Sequence, residues 1–473
     1  MTWTRAIPVF AVLTVAASCG AHHSTGPADH GTGPAADYTL SVTPTALTIA
    51  PGLSGSTTVT INRTNFTGEV TLTLGGAPFG IIKSFSPGVG SSATLTIHLG
   101  PTVAPGVYNL MVNGAADPGN RSTPLTLTVS SLSGGSGATA VDVASELSCA
   151  LNGSGQAYCW GSNFLGGLGA TSSETCVDPR LELSNPCSTR PLAVSGGLTF
   201  ATLSTHFGSP CAVSKSGAAY CWGGASTAPT PVPGGLTFVE LSGDCGVTTS
   251  GAAYCGLTST PTLVPGAIAF ASLSEGGLGY ICGLTTTGKA YCWGDNAAGQ
   301  LGDGTTTNRP VPTPVAGGLE FAALSAGWAW TCGVSTTGTA YCWGGSAYGA
   351  LGDGTTSNRL VPTPVAGGLT FASVSAGDGH TCGVTLSGAA YCWGYNAYGQ
   401  LGDGTTTGRV VPTLVAGGHA FAAVSAGPIV PFFGHTCGVT TSGAVYCWGD
   451  NFAGELGDGT TTQRLVPTLV AFP

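Results

Sequence analysis

Apolar and polar positions alternate along most of this chain in short runs punctuated by Gly, Pro and Thr, and the alternation predicts strands throughout. The most regular stretch reads as four of them: Phe371-Ala-Ser-Val-Ser-Ala, Thr381-Cys-Gly-Val-Thr, Ala390-Tyr-Cys-Trp-Gly and Val410-Val-Pro-Thr-Leu-Val. This unit recurs seven times over residues 139–473, and four short antiparallel strands per repeat predict a seven-bladed β-propeller. Leu469-Val-Ala-Phe-Pro leads toward a first strand and Thr139-Ala-Val-Asp-Val continues one, so the two ends are expected to meet and hide the sheet edges.

Residues 38–131 alternate differently. Tyr38, Leu40 and Val42 mark one strand, Val59 and Ile61 a second, and Val70, Leu72 and Leu74 a third. Leu95, Ile97 and Leu99, then Tyr108, Leu110 and Val112, then Leu125, Leu127 and Val129 mark three more. Turn residues about every ten positions make this a small β-sandwich. Residues 132–138, Leu-Ser-Gly-Gly-Ser-Gly-Ala, read as the linker to the repeats, so the fold class is all-β.

Cysteine spacing sharpens the repeat. The pairs Cys149 and Cys159, Cys211 and Cys221, Cys245 and Cys255, Cys282 and Cys292, Cys332 and Cys342, Cys382 and Cys392, and Cys437 and Cys447 are each ten residues apart. Each has Gly at the sixth position and Tyr just before the closing Cys. That spacing around a three-residue loop sets the cysteines opposite each other on a hairpin, within disulfide reach, with Gly at the left-handed loop position. Val334 then faces Ala340, and Val439 faces Val445. Cys176 and Cys187 make an eighth pair, and Cys19 is left over from a total of 17. An even framework of this kind implies an oxidising compartment.

The leftover cysteine has its own context. Met1 to Arg5 is a short basic start, Ala6 to Ala17 an apolar run too short to span a bilayer as a helix, and Ala16-Ala17-Ser18-Cys19-Gly20 resembles a bacterial lipobox. Residues 1–19 therefore read as a lipoprotein-type signal peptide with lipidation at Cys19, or else as an ordinary leader whose cleavage releases the protein. Either way export from a bacterial cell is expected. Residues 20–37 follow as a flexible tether in which His22 and His23 carry no assigned role.

Composition excludes several functions. Only 7% of residues are charged and the net charge is −9 with 12 Lys+Arg, which argues against nucleic acid and against anionic membrane surfaces beyond a lipid anchor. There is no zinc-type Cys/His spacing, no nucleophile elbow, no H-E-x-x-H and no phosphate loop. No cofactor, no metal site and no catalytic residue are expected, and a monomer that is not an enzyme is the working expectation.

The run His380-Thr-Cys-Gly-Val-Thr-Leu-Ser-Gly-Ala-Ala-Tyr-Cys-Trp-Gly-Tyr-Asn-Ala-Tyr-Gly-Gln-Leu-Gly-Asp-Gly resembles the regulator of chromosome condensation repeat, whose members form seven-bladed propellers. This chain departs from the pattern by its cysteines, by second and third units that lack the Leu-Gly-Asp-Gly arm, by a third unit without Trp, and by the insertion that holds Cys176 and Cys187. Ala104-Pro-Gly-Val-Tyr-Asn-Leu-Met-Val is similar to the penultimate strand of bacterial immunoglobulin-like domains, which implies a spacer. The repeat resemblance implies protein binding. Secreted bacterial propellers of this type include inhibitors that hold β-lactamases through aromatic top-face residues. Eukaryotic members exchange guanine nucleotides or bind chromatin, which export and the acidic charge argue against here. A carbohydrate-active enzyme with a central top pocket and a structural envelope protein are the other readings. A paired, unrepeated set of carboxylates would favour the enzyme.

Strand direction puts the loops between strands one and two on the same face as those between three and four. The one–two loops differ most among the copies, and Trp328, Phe432, Phe433, Phe207 and Asp378 are the binding candidates there. Trp330, Tyr280, His380 and His435 occupy a neighbouring position that reads as packing between blades. The arms bearing Asp303, Asp353, Asp403 and Asp458, each with an Arg six residues on, invite a calcium reading, but read better as turns with blade-to-blade ion pairs. Trp293, Trp343, Trp393 and Trp448 read as core.

Overall fold

The computed structural model describes residues 35–473 except 51–52, 79, 88–90, 101–102, 104–105, 118, 131–136, 179–182, 206–208, 225 and 428–433. Residues 1–34, with the expected signal peptide, Cys19 and most of the expected tether, residues 132–136 of the expected linker, Phe207, Phe432 and Phe433 lie outside the described residues. Those described are all-β apart from one 3-10 turn at Ala347–Gly349. None of their helices is long and apolar enough to cross a membrane.

Two four-stranded sheets build the sandwich. One carries Asp37–Thr43, Ser54–Thr64, Ser92–Leu99 and Ile81–Pro87 in that order; the other carries Ala46–Ile49, Arg121–Val129, Gly106–Ala115 and Thr71–Gly75. Alternation places Val59, Leu95, Ile97, Leu110, Val112 and Leu127 inward in one apolar cluster. The two strands that periodicity does not mark are the shortest and the least regular. Ala46–Ile49 has only four residues and lies parallel to Arg121–Val129, and Ile81–Pro87 opens on two adjacent isoleucines. Ile81 joins the sandwich core, while Ile82 points out and is buried against the repeats.

Seven successive sheets follow among the described residues, denoted I (138–193), II (200–231), III (238–263), IV (270–314), V (321–364), VI (371–414) and VII (421–469). Six have four strands, and I has five because its insertion adds a hairpin closed by Cys176–Cys187. In every sheet the paired cysteines oppose each other and are disulfide-bonded, with Cα atoms 4.0–4.1 Å apart. Val334 faces Ala340 and Val439 faces Val445, as the spacing predicts. The hairpin glycine Gly338 sits at φ 87°, where a Cβ would also meet Thr370 of the next sheet at 2.5 Å.

Sheet-to-sheet contacts repeat. The arm leaving sheet IV offers the Gln300 carbonyl to both Trp343 Nε1 and Thr331 Oγ1 of sheet V, at 3.0 and 2.9 Å. The carbonyls of Ala350, Gln400 and Glu455 do the same for Trp393 with Thr381, Trp448 with Thr436, and Trp160 with Ser148. The last pair joins VII to I. Sheets II–VII each begin with a Phe that packs in the core, whereas sheet I begins with Ala138. Phe472, from the far end of the array, places its ring edge-on at 5.8 Å from both Trp160 and Tyr158. Phe472→Ala is therefore expected to cost roughly 2 kcal/mol, less than a fully buried Phe because the ring is half-buried. It should speed amide exchange at the I–VII seam above that at the other seams; an even effect around the array would contradict this closure.

Candidate functional site

The inner strands end in a serine that recurs by position: Ser204, Ser242, Ser274, Ser325, Ser375 and Ser425, with Asp142 taking the place in sheet I. Each accepts a backbone N–H from the following sheet. Thr205 donates to Asp142 at 2.7 Å, Gly243 to Ser204 at 3.1 Å, Glu275 to Ser242 at 2.9 Å and Ala326 to Ser274 at 2.9 Å. Ala376 donates to Ser325 and Ala426 to Ser375, both at 2.9 Å, and Val143 donates to Ser425 at 3.2 Å, which closes the circle. Ser425 also donates its hydroxyl to Asp142 Oδ1 at 2.9 Å. The circlet pins seven inner strands to a common height around one axis.

Above it opens a central cavity of about 160 Å³, lined by these serines and by the Gly and Ala residues that follow them. Small residues leave the space open. Three acids of the lining break the repeat: Asp142, Glu275 and Asp378. Burial raises the Asp142 carboxyl above its ordinary range despite the hydrogen bonds from Thr205, Ser425 and Val143. Burial likewise pushes Glu275 up to about 7, opposed by the Asp244 N–H that donates to it at 2.7 Å. Glu240, two residues before Ser242 and so on the same strand face, is pushed up to about 8 by burial. Among the described residues, no Lys, Arg or His lines the cavity.

Of the sequence-predicted candidates, Asp378 lies in this lining and Trp328 on its rim. Trp328 is half-buried and lies over Gly277, where a Cβ would come within 2.3 Å of the indole, so only glycine lets the ring settle there. The loops pair as strand direction predicts: the Gly345 N–H donates to the Ala329 carbonyl at 2.8 Å and that of Tyr395 to Gly379 at 2.9 Å. This brings forward a group that sequence reasoning missed. Tyr348 stands 56% exposed at φ 58°, an uncommon conformation for a bulky residue, and its ring centroid is 4.8 Å from that of Tyr395. Tyr398 extends the row, 6.5 Å from Tyr395. The signal in the sequence is the tyrosines that break the copies at arm positions, outside the variable one–two loops.

Trp330, Tyr280, His380 and His435 are buried between sheets. Tyr280 donates to the Trp330 carbonyl at 2.5 Å and Trp330 Nε1 to Thr381 Oγ1 at 3.1 Å. His380 Nε2 lies 2.8 Å from Thr436 Oγ1, and His435 Nε2 lies 2.7 Å from Ser148 Oγ. The acidic arms need one correction: their ion pairs do not run from blade to blade. Asp303–Arg309, Asp353–Arg359, Asp403–Arg409 and Asp458–Arg464, at 2.6–2.7 Å, each close a turn within their own arm. Burial raises the Asp303 carboxyl, but hydrogen bonds from Thr305 and Arg309 outweigh it and hold it low. With Oδ1 taken by Thr305 and Asn296 and Oδ2 by Arg309, the carboxylate is spent on the turn. No group of three or more metal-ligating side chains occurs among the described residues.

The regulator of chromosome condensation (RCC1) repeat matches residues 287–334, 337–384 and 387–428, and a second pattern of the same description matches 371–400 and 433–455. No curated protein matches the sequence. Human WBSCR16 shares the fold at a TM-score of 0.58 and 19% identity, over 67% of this chain and 94% of that one. Yeast RCC1 (Prp20) bound to Kap60 aligns at a TM-score of 0.44 and 21% identity, over 71% of this chain and 75% of that one. Prp20p of Saccharomyces cerevisiae, described with its binding to Gsp1p and histones, gives 0.44 and 20%, over 70% and 76%. Residues 287–455 of this chain thus carry repeats of the regulator of chromosome condensation family.

Proposed function

We propose that this protein is an exported, lipid-anchored binding scaffold. In this reading a seven-bladed propeller presents its cavity face to a protein partner, and an immunoglobulin-like domain serves as the spacer from the membrane. The eight disulfides suit an oxidising, exported environment. The observation that carries the reading is the difference between the two faces. On the hairpin-turn face the sandwich is docked: Ile82, 2% exposed, joins the cluster of Phe371, Leu369 and Leu386, and the Lys83 N–H donates to the Thr336 carbonyl at 3.4 Å. The other face holds the cavity, Trp328 and the tyrosine row. A scaffold held by one face works with the other.

Crosslinked capture from native envelope and secreted fractions tests this, with the exported chain as bait beside a Trp328→Ala, Phe432→Ala, Phe433→Ala variant. One partner taken by the first and lost at least tenfold by the second is the expected result. Equal capture by both moves the binding surface elsewhere. The unrepeated acids of the cavity favour a carbohydrate-active enzyme as the second reading, whose signature would be glycoside hydrolysis abolished by Glu275→Gln. Guanine-nucleotide exchange, which the repeat resemblance implies, is not carried over, because export and the acidic charge argue against it.

A further inference from the structure

The cavity is small, acidic and open beside exposed aromatic rings. We propose, resting on the binding reading above, that this face receives a protein loop whose lysine or arginine enters the central cavity while the flanking residues pack on Tyr348, Tyr395 and Tyr398. Size is the first argument. About 160 Å³ falls below the roughly 300–1,000 Å³ of small-molecule sites and suits one side chain. Charge is the second. Asp142, Glu275 and Asp378 all line a space whose described lining holds no basic side chain, in a chain of net charge −9. A cation brought there meets carboxylates within a partly desolvated wall, where attraction is screened far less than in water.

Position is the third argument. Tyr395 is tied by its backbone to Gly379, the neighbour of Asp378, so the tyrosine row begins beside the cavity wall. Tyrosine faces attract ammonium and guanidinium groups and give rigid contact area at little entropic cost. The left-handed backbone of Tyr348 holds its ring exposed instead of letting it fold into the arm. The raised carboxyl of Glu275 adds a consequence: a cationic loop binds the ionised form, so affinity falls as pH drops below about 7.

The test is selection of disulfide-constrained peptides, displayed as a random library, against the intact exported chain. Selected sequences should carry a central Lys or Arg, and replacing it with Gln or norleucine should weaken binding at least tenfold. Glu275→Gln with Asp378→Asn, checked for unchanged melting, should weaken it as much, Tyr348→Ala with Tyr395→Ala several-fold, and added salt should reduce it. Peptides without a basic residue, or with affinity indifferent to Glu275→Gln and Asp378→Asn, overturn the inference. A captured natural partner that needs Trp328 but not the acids would overturn it too, while leaving the scaffold reading intact.

Discussion

Reduction of the eight disulfides lowers the urea midpoint of the repeat array far more than that of the sandwich, which has none among its described residues. Each hairpin disulfide closes a loop of about ten residues, worth roughly 2–3 kcal/mol in the chain-entropy account. Spread over seven hairpins, this rivals the whole ~5–15 kcal/mol by which ordinary domains are stable. The array needs such help because its sheets are thin and its inner strands are poor in large apolar side chains. Sheet III is weakest: its fourth strand is only Thr262–Leu263, it has no Trp, and Leu257 fills that space. Cys245→Ala with Cys255→Ala should thus expose sheet III to protease well before Cys382→Ala with Cys392→Ala exposes VI, where Trp393 seals the sheet. Oxidised and reduced midpoints within a degree or two of each other would contradict the argument.

Much of this fold was readable because its signals are local and repeated. A Cys-to-Cys spacing fixes hairpin register, and Gly338 and its equivalents fix the loop, so Val334 against Ala340 followed without three-dimensional information. The four strands read from 371–415 coincide with those observed to within a residue at either end. Where the signal is nonlocal it failed. Ala46–Ile49 pairs with a strand some eighty residues away, and Ile82 is buried by the repeat sheets. Neither fact leaves a mark in its own neighbourhood of sequence.

The site was less legible for a related reason. The serine circlet is written in plain view, one Ser near the end of six of the seven inner strands, but a hydroxyl bonded to the next sheet looks the same in sequence as one facing solvent. Only closure of the ring gives it meaning, and the substitution of Asp142 at one position then becomes the feature of interest. Asp378 was found because it interrupts a variable loop, and Glu275 was missed because it sits within a strand. The four arm aspartates drew attention by repetition and proved to be turn residues held by their own arginines.

Acid acts on this array through two histidines, and its effect should be localised. His380 and His435 are fully buried between sheets, and burial holds both near pKa 3. In the unfolded chain they titrate near 6.5, so between pH 6.5 and 3 the unfolded state binds more protons than the folded one. Stability therefore falls as pH drops through this window, by about 1.4 kcal/mol per unit for each histidine. Glu275, Glu240, Asp142 and Glu455 act in the opposite sense, since their raised carboxyls are protonated first in the folded state. The histidine contribution is isolated by His380→Gln with His435→Gln, which loses hydrogen bonds to Thr436 and Ser148 and should be less stable at pH 7.5. On acidification the two proteins should converge, because only the parent pays the histidine penalty. Sheets IV and V supply the internal comparison, with Tyr280 and Trp330 at the same position and no charge to gain in this range. Hydrogen exchange at pH 5 should then rise first across the seams of sheet VII with VI and I. Parallel pH curves for parent and variant, or exchange rising evenly around the ring, would move the acid response away from these residues.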